Sequence, residues 1–507
     1  MTTTTSLKPW LALACAIALS ACGGGGSTPT PSKVELSTGI ASLQGAYDQP
    51  QSLQLTVTNA GQAAVSNLNA KASDPMLLVV SDTCTGKTLA ASSNCTVTYR
   101  VKGASAGQGA VNVTVQYTGD DGTGSKALSV PYNFGPSQWA STATWSNPLG
   151  NTSNSGYVPV VLDSANFKLA WEFAPDQADL YLQGVTSDQD RIYFTALDTR
   201  NLGFITWVYA LSQQDGGLRW KDSSLPARYG GGAPAVVGGK VLVEGASDFV
   251  AKKNWIDAVT GVSQISEASL CGHKGVYSDP VIWDQGMYRY CGTFPSVSRT
   301  DIGPPPTWWN YFGVVGEYIS PTGLAVDAQR VYVFDARGGQ LTGLDRVTGQ
   351  LAFQIKNEPS SGQLRYSPVL DEGSAHIFMG GDDAVSAMDL TQRSVLWTVS
   401  GYSGQPAYGN QTVYVKLMGE PASLGALDAK TGERLWSWVL PEVIVSNIVV
   451  TKTHVFVASA KNTYGLNIGR KTMDLVYPAG GAQLLLTNTG KLIIAGKHGR
   501  VSAIALH

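Results

Sequence analysis

One phrase recurs along this chain: LGALDAKTGERLW at 424–436, echoed by YALSQQDGGLRW at 209–220 and LTGLDRVTGQLAF at 341–353. Each copy reads as a short apolar strand, a turn closing on Gly, and a second strand with Trp or Phe four residues past that Gly. That pattern describes a β-hairpin with a fixed turn and a fixed aromatic. Repetition constrains the fold strongly, because a unit that cannot bury its own apolar face must stack on its copies. Aligned on the turn glycine or its equivalent, the copies fall at Gly216, Gly261, Gly349, Arg393, Gly432 and Lys471. The spacings are about 45, 88, 44, 39 and 39 residues, and the double interval implies a degenerate copy near residue 304.

Two further apolar strands precede each hairpin, at 184–197, 233–245, 279–292, 320–335, 367–381, 406–419, 445–459 and 482–496. Four strands repeating about every 40 residues are the signature of a β-propeller. The expected fold is therefore all-β, with an eight-bladed propeller over 161–507. VSAIALH at 501–507 is half a hairpin, and NFKLAWEF at 166–173 carries the missing partner strand. Pairing the two completes the eighth blade, makes Trp171 its aromatic, and removes the sheet edges an open ring would leave.

The DxxTGxxxW phrase resembles the pyrroloquinoline-quinone (PQQ) propeller repeat. An eightfold ring of it resembles both the PQQ-dependent alcohol and glucose dehydrogenases and BamB, the lipoprotein subunit of the outer-membrane β-barrel assembly machinery. The likeness covers about 160–507. It implies that Trp171, Trp220, Phe353, Trp397 and Trp436 are structural, packing blade on blade and contributing about 3 kcal/mol each by burial. In the dehydrogenases the resemblance implies adjacent cysteines over the cofactor, a calcium ion held by carboxylate and Asn, and a catalytic Asp. Here no two cysteines are adjacent and no motif gathers carboxylates, so no catalytic residue, cofactor or metal is expected.

The N-terminal region sets the compartment. After Lys8 the apolar run at 10–21 holds twelve residues, too few to span a bilayer and suited to a signal peptide over 1–21. Leu19, Ser20, Ala21 and Cys22 match the lipobox of bacterial lipoproteins, which implies cleavage before Cys22 and its acylation. Several acyl chains on one residue anchor a protein stably. Gly23 rather than Asp after the cysteine implies the outer membrane by the sorting pattern of enteric bacteria.

Of the six cysteines, Cys15 leaves with the signal and Cys22 takes lipid. The remaining four allow three pairings, of which the local ones, Cys84 with Cys95 and Cys271 with Cys291, are the most economical for an oxidising compartment. Residues 22–33 have the composition of a tether. Over 34–134 short alternating strands appear, with Leu53, Leu55 and Val57, then Cys95, Val97 and Tyr99, then Val111, Val113 and Val115. They read as a β-sandwich. The stretch SDTCTGKTLAASSNCTVTY (81–99) resembles the Cys-containing hairpin of bacterial Ig-like domains of the ASPM/SPD-2/Hydin class. A Ser/Asn/Gly/Pro-rich link is expected over 135–160.

Charged residues are 14% of the chain and the net charge is −2, against about 25% charged residues in typical soluble domains, so no basic face for nucleic acid is expected. The expected function is a non-catalytic outer-membrane lipoprotein whose propeller binds an envelope protein, in the manner of BamB. The alternative is a module for extracellular polysaccharide or another ligand, and a PQQ-dependent dehydrogenase ranks below both. In place of a third hairpin the chain reads SVSRTDIGPPPTWWNYFGVVGEY (296–318), where Trp308, Trp309, Tyr311 and Phe312 are candidate partner contacts because such aromatics dominate interface hot spots. The competing expectation is that they fill the outer layer of a degenerate blade.

Overall fold

The computed structural model describes residues 32–72, 74–176, 180–198, 205–224, 232–247, 250–267, 279–284, 286–291, 296–301, 308–312, 323–335, 339–357, 364, 366–373, 375–419 and 421–507. Cys22, Cys271 and the side chains of Cys291 and Trp308 lie outside the described residues. The chain divides into two compact units, one of residues 51–101 and 108–133 with those up to 43, the other of 44–50, 102–107 and 134–507.

The first unit carries two antiparallel sheets, one of them four-stranded. Alternate residues point inward: Leu53, Leu55, Val57, Cys95, Val97, Tyr99, Val111, Val113 and Val115 are all buried. The Tyr99 hydroxyl donates to the Ala70 carbonyl of the facing sheet at 3.4 Å, and burial pushes that phenol up to about 12. Cys84 and Cys95 are joined. Asn59 organises the adjoining turn, its amide donating to the carbonyls of Ala63, Leu89 and Ala90 while its Oδ1 accepts from the Gly61 N–H.

The second unit is a β-propeller. Among the described residues, eight four-stranded antiparallel sheets follow one another: blades 1 to 7 over 180–222, 235–267, 281–311, 325–356, 369–400, 402–439 and 449–477, and a last blade of 481–486, 491–496, 501–505 and 168–173. Val501 pairs with Phe173, Ser502 with Glu172 and Ala503 with Trp171, so the early strand completes the last blade. The first inner strand, 180–187, packs against both 235–237 and 481–486, which closes the ring.

The repeated phrase now has a physical account. Gly216, Gly261, Gly349, Arg393, Gly432 and Lys471 all hold positive φ, between 56° and 73°, the left-handed region that a tight turn demands. Asp257, Asp345 and Asp428 each accept from the backbone N–H two and three residues on and from a Thr hydroxyl. These bonds, led by that of the Thr N–H, hold the three carboxyls below their usual range. The indole N–H of Trp171, Trp220 and Trp397 donates to a carbonyl of the next blade at 3.0 Å, and the ring covers that blade's turn glycine. A Cβ on Gly216, Gly261 or Gly432 would lie 2.5–2.7 Å from the ring. Where the turn residue carries a side chain, a cation replaces the glycine contact: Arg393 lies over Phe353 at 5.4 Å and Lys471 over Trp436 at 4.1 Å, an attraction of about 0.5–1 kcal/mol at such sites.

Two expectations change. Blade 3 is a regular four-stranded sheet rather than an interrupted one, with 308–311 as its outer strand. The larger change is at 135–160. A link leading to the ring was expected there, but residues 142–162 run around the inside of the ring and hydrogen-bond to every blade. The carbonyls of Trp145, Ser146, Thr152, Ser153, Ser155 and Gly156 accept from the N–H groups of Ser187, Val236, Val326, Leu370, Tyr408 and Val450. Asn147 Oδ1 accepts from Ile282 N–H at 2.9 Å, and Thr142 Oγ1 donates to the Asn488 carbonyl. The innermost strand of each blade is a sheet edge, and buried edge donors must find acceptors; this strap supplies them. Trp139, Trp145, Val158, Val160 and Leu162 join the core formed by blades 1, 7 and 8.

Candidate binding cavities at the two mouths of the channel

Two separate cavities border the strap. The first, about 350 Å³, is lined by residues at or just before the inner strands, among them Asp279, Tyr366, Gln405, Asn447 and Gln483, together with Asn154 of the strap and Lys416. The second, about 400 Å³, lies where the inner strands end and is lined by strap residues 141–145 and by Tyr157, Leu370, Asp371, Glu372 and Tyr408.

Several polar groups in the first cavity are committed to joining blades. Asn447 donates to the Leu484 carbonyl and accepts from its N–H, so its carboxamide acts as one more strand residue between blades 7 and 8. Gln405 does the same to Ser367 of blade 5, and Asp279 Oδ1 accepts from Ala233 N–H at 2.8 Å. Lys416 is different. It sits on the second strand of blade 6 after three buried residues, Val413, Tyr414 and Val415, and burial alone pushes its ammonium down to about 8.

A second buried charge cluster joins blades 2 and 3. Glu244 Oε1 lies 2.5 Å from Arg289 Nη1 and 4.0 Å from Lys253 Nζ. Arg289 is wholly buried, and its Nε donates to Ser298 Oγ at 3.3 Å. Desolvation first and Arg289 second push Lys253 down to about 8, against the pull of Glu244. Among the described residues one Glu244 oxygen and one Arg289 nitrogen have no hydrogen-bond partner. A paired buried charge holds geometry more than it adds stability.

The aromatic candidates separate. Trp309 is 8% exposed; its indole donates to the Arg346 carbonyl and its ring covers Gly349. It is thus the blade anchor equivalent to Trp220 and Trp397, already committed within the fold and not free for a partner. Tyr311 packs partly buried on the same core, while Phe312 is 68% exposed. The strap, Lys416, Glu244 and Arg289 were missed at the level of sequence. For the charges there was a signal, since TVYVKL, KVLVEG and GMYRYC each place a charge inside an otherwise buried strand. Among the described residues no group of three or more His, Cys, Asp or Glu side chains is placed to hold a metal ion, and no helix is long and apolar enough to cross a membrane.

Comparison with known proteins agrees with the fold. Residues 278–405 and 381–469 match the sequence model of a family described as "Outer membrane protein assembly factor BamB". Among solved structures the chain is similar to BamB from Moraxella catarrhalis, with 16% identity, TM-score 0.50, and 67% of this chain and 99% of that one covered. It is also similar to a europium-containing methanol dehydrogenase (12%, TM-score 0.55, 72% and 98%) and to the computationally designed Ika8 protein (14%, TM-score 0.51, 66% and 99%). No curated protein matches in sequence. An assembly factor, an enzyme and a design share this architecture, so the likeness establishes a PQQ-type propeller fold and leaves function to the site.

Proposed function

We propose that this chain is a lipid-anchored, non-catalytic protein of the bacterial outer membrane whose propeller is a scaffold for an envelope protein, acting in envelope assembly. The observation that carries the reading is the match of 278–469 to the BamB family, joined to the lipobox ending at Cys22. In this reading the first unit is an Ig-like module that stands in the sequence between the acylated cysteine and the ring.

Two measurements test the proposal together. Cys22→Ser should move the protein from the membrane fraction to the soluble periplasm, and retention on membranes at high salt would remove the anchor. Reconstitution with PQQ and calcium should give no saturable uptake and no dye-linked oxidation of alcohols or sugars; stoichiometric uptake with turnover would replace the scaffold by an enzyme.

A further inference from the structure

The first cavity contains a cation without a counter-ion. The Lys416 side chain has no hydrogen bond or ion pair among the described residues, and Asp279, the carboxylate in the same lining, is engaged by the Ala233 N–H. The position is built for the side chain. Lys416 lies beside Gly404, which has φ +90°, and a Cβ there would sit 3.4 Å from Lys416 Cδ and 3.8 Å from Nζ. The glycine thus makes the bed along which the aliphatic stem runs, while the ammonium reaches the cavity. Tyr366 of blade 5 and Gln483 of blade 8 line the same space, and neither side chain has a hydrogen-bond partner among the described residues. A half-buried ammonium with neutral donors around it costs desolvation energy that an incoming anion repays.

We propose that this cavity binds a carboxylate group, with Lys416 as its counter-ion and Tyr366 and Gln483 as hydrogen-bond donors. A carboxylate fits better than a bulkier dianion because one positive charge faces it. The group belongs either to the C-terminus of a bound partner chain, in which case the site rests on the scaffold reading, or to a free small acid, in which case it stands apart from that reading. Only burial depresses Lys416, so among the described residues no carboxylate already plays this part. At pH 7 the ammonium is still mostly charged, and binding should weaken as pH rises past about 8.

The test uses the purified protein with three probes: butyrate, N-acetylated penta-alanine with a free C-terminal carboxylate, and the same peptide amidated. Calorimetry reads binding, and mass spectrometry reads protection of Lys416 from acetic anhydride. The expected result is saturable binding of at least one acid, protection of Lys416 beyond other lysines, and no binding of the amide. Lys416→Met should weaken binding about 10- to 100-fold, the value of one hydrogen bond to a charged group, with an unchanged or higher unfolding midpoint, and Lys416→Arg should retain it. Tighter binding of the peptide acid assigns the site to a partner's chain end; tighter binding of butyrate assigns it to a free acid. The proposal fails if neither acid saturates, if acid and amide bind alike, or if Lys416→Met binds as well as the wild type. That failure would leave the scaffold reading, tested by fractionation and cross-linking, where it stands.

Discussion

Asn154 is the residue through which the strap is most sharply tested. It is 4% exposed, and its amide donates to the Leu324 carbonyl at 2.6 Å and the Pro368 carbonyl at 2.9 Å, tying blades 4 and 5 from inside the channel. Its φ is 56°. Replacing it with Gly strands two buried acceptors, each worth about 1–3 kcal/mol when left unmade, while easing the backbone; a loss of about 3 kcal/mol is expected. Asn154→Ala keeps the left-handed backbone and adds roughly 1 kcal/mol of strain. Urea denaturation followed by tryptophan fluorescence measures both, and the probe is selective, since every Trp after Trp10 lies at 139 or later and none is in the two-sheet unit. If both variants lost less than about 0.5 kcal/mol, a surface-like value, the strap would not be seated in the folded channel and the account of residues 142–162 would fall.

Deleting 501–507 should leave strand 168–173 without its partner, lower the thermal midpoint and promote aggregation seen by light scattering; an unchanged midpoint would show that this pairing does not close the ring. Trp309→Ala should cost about 3–5 kcal/mol as a buried aromatic truncation, whereas Phe312→Ala should stay within about 0.5 kcal/mol; the reverse order in the same urea assay would return Trp309 to the surface. Lys416 gives a pH signature. Its folded pKa of about 8 lies below the ordinary 10.5, so the unfolded chain binds the extra proton between those values and stability should rise with pH across that window. Lys416→Met should abolish its share of the rise and be more stable near neutrality; parallel pH profiles for the two proteins would contradict this.

The repeat was legible because its residues act locally. The turn positions from Gly216 to Lys471 share a backbone conformation, and the aromatics that follow are fixed by the glycine or cation they cover, so spacing alone located them. The closing strand was legible for a related reason, since a half hairpin at 501–507 demands a partner. The third hairpin was obscured because Pro304, Pro305 and Pro306 break the phrase, although Trp309 keeps the anchor's contacts. The strap was illegible because the same composition serves opposite ends. Small, polar, glycine-rich sequence marks a solvated link, but here Gly156 is small because a Cβ would meet the Ile448 carbonyl at 2.6 Å, and Asn154 is polar because it bridges two buried carbonyls. The site around Lys416 was hidden for another reason: only the ring brings this charge of blade 6 into one cavity with Gln483 of the last blade.

The central claim is that this anchored propeller holds an envelope protein, and photo-cross-linking inside intact cells tests it most directly. A photoreactive residue placed at Phe312 or at Leu435, both exposed on the propeller, should yield a discrete adduct with one membrane-associated protein, and the yield should drop when Cys22→Ser releases the chain. Absence of a discrete adduct from either position, with the protein still anchored and folded, would contradict the scaffold account.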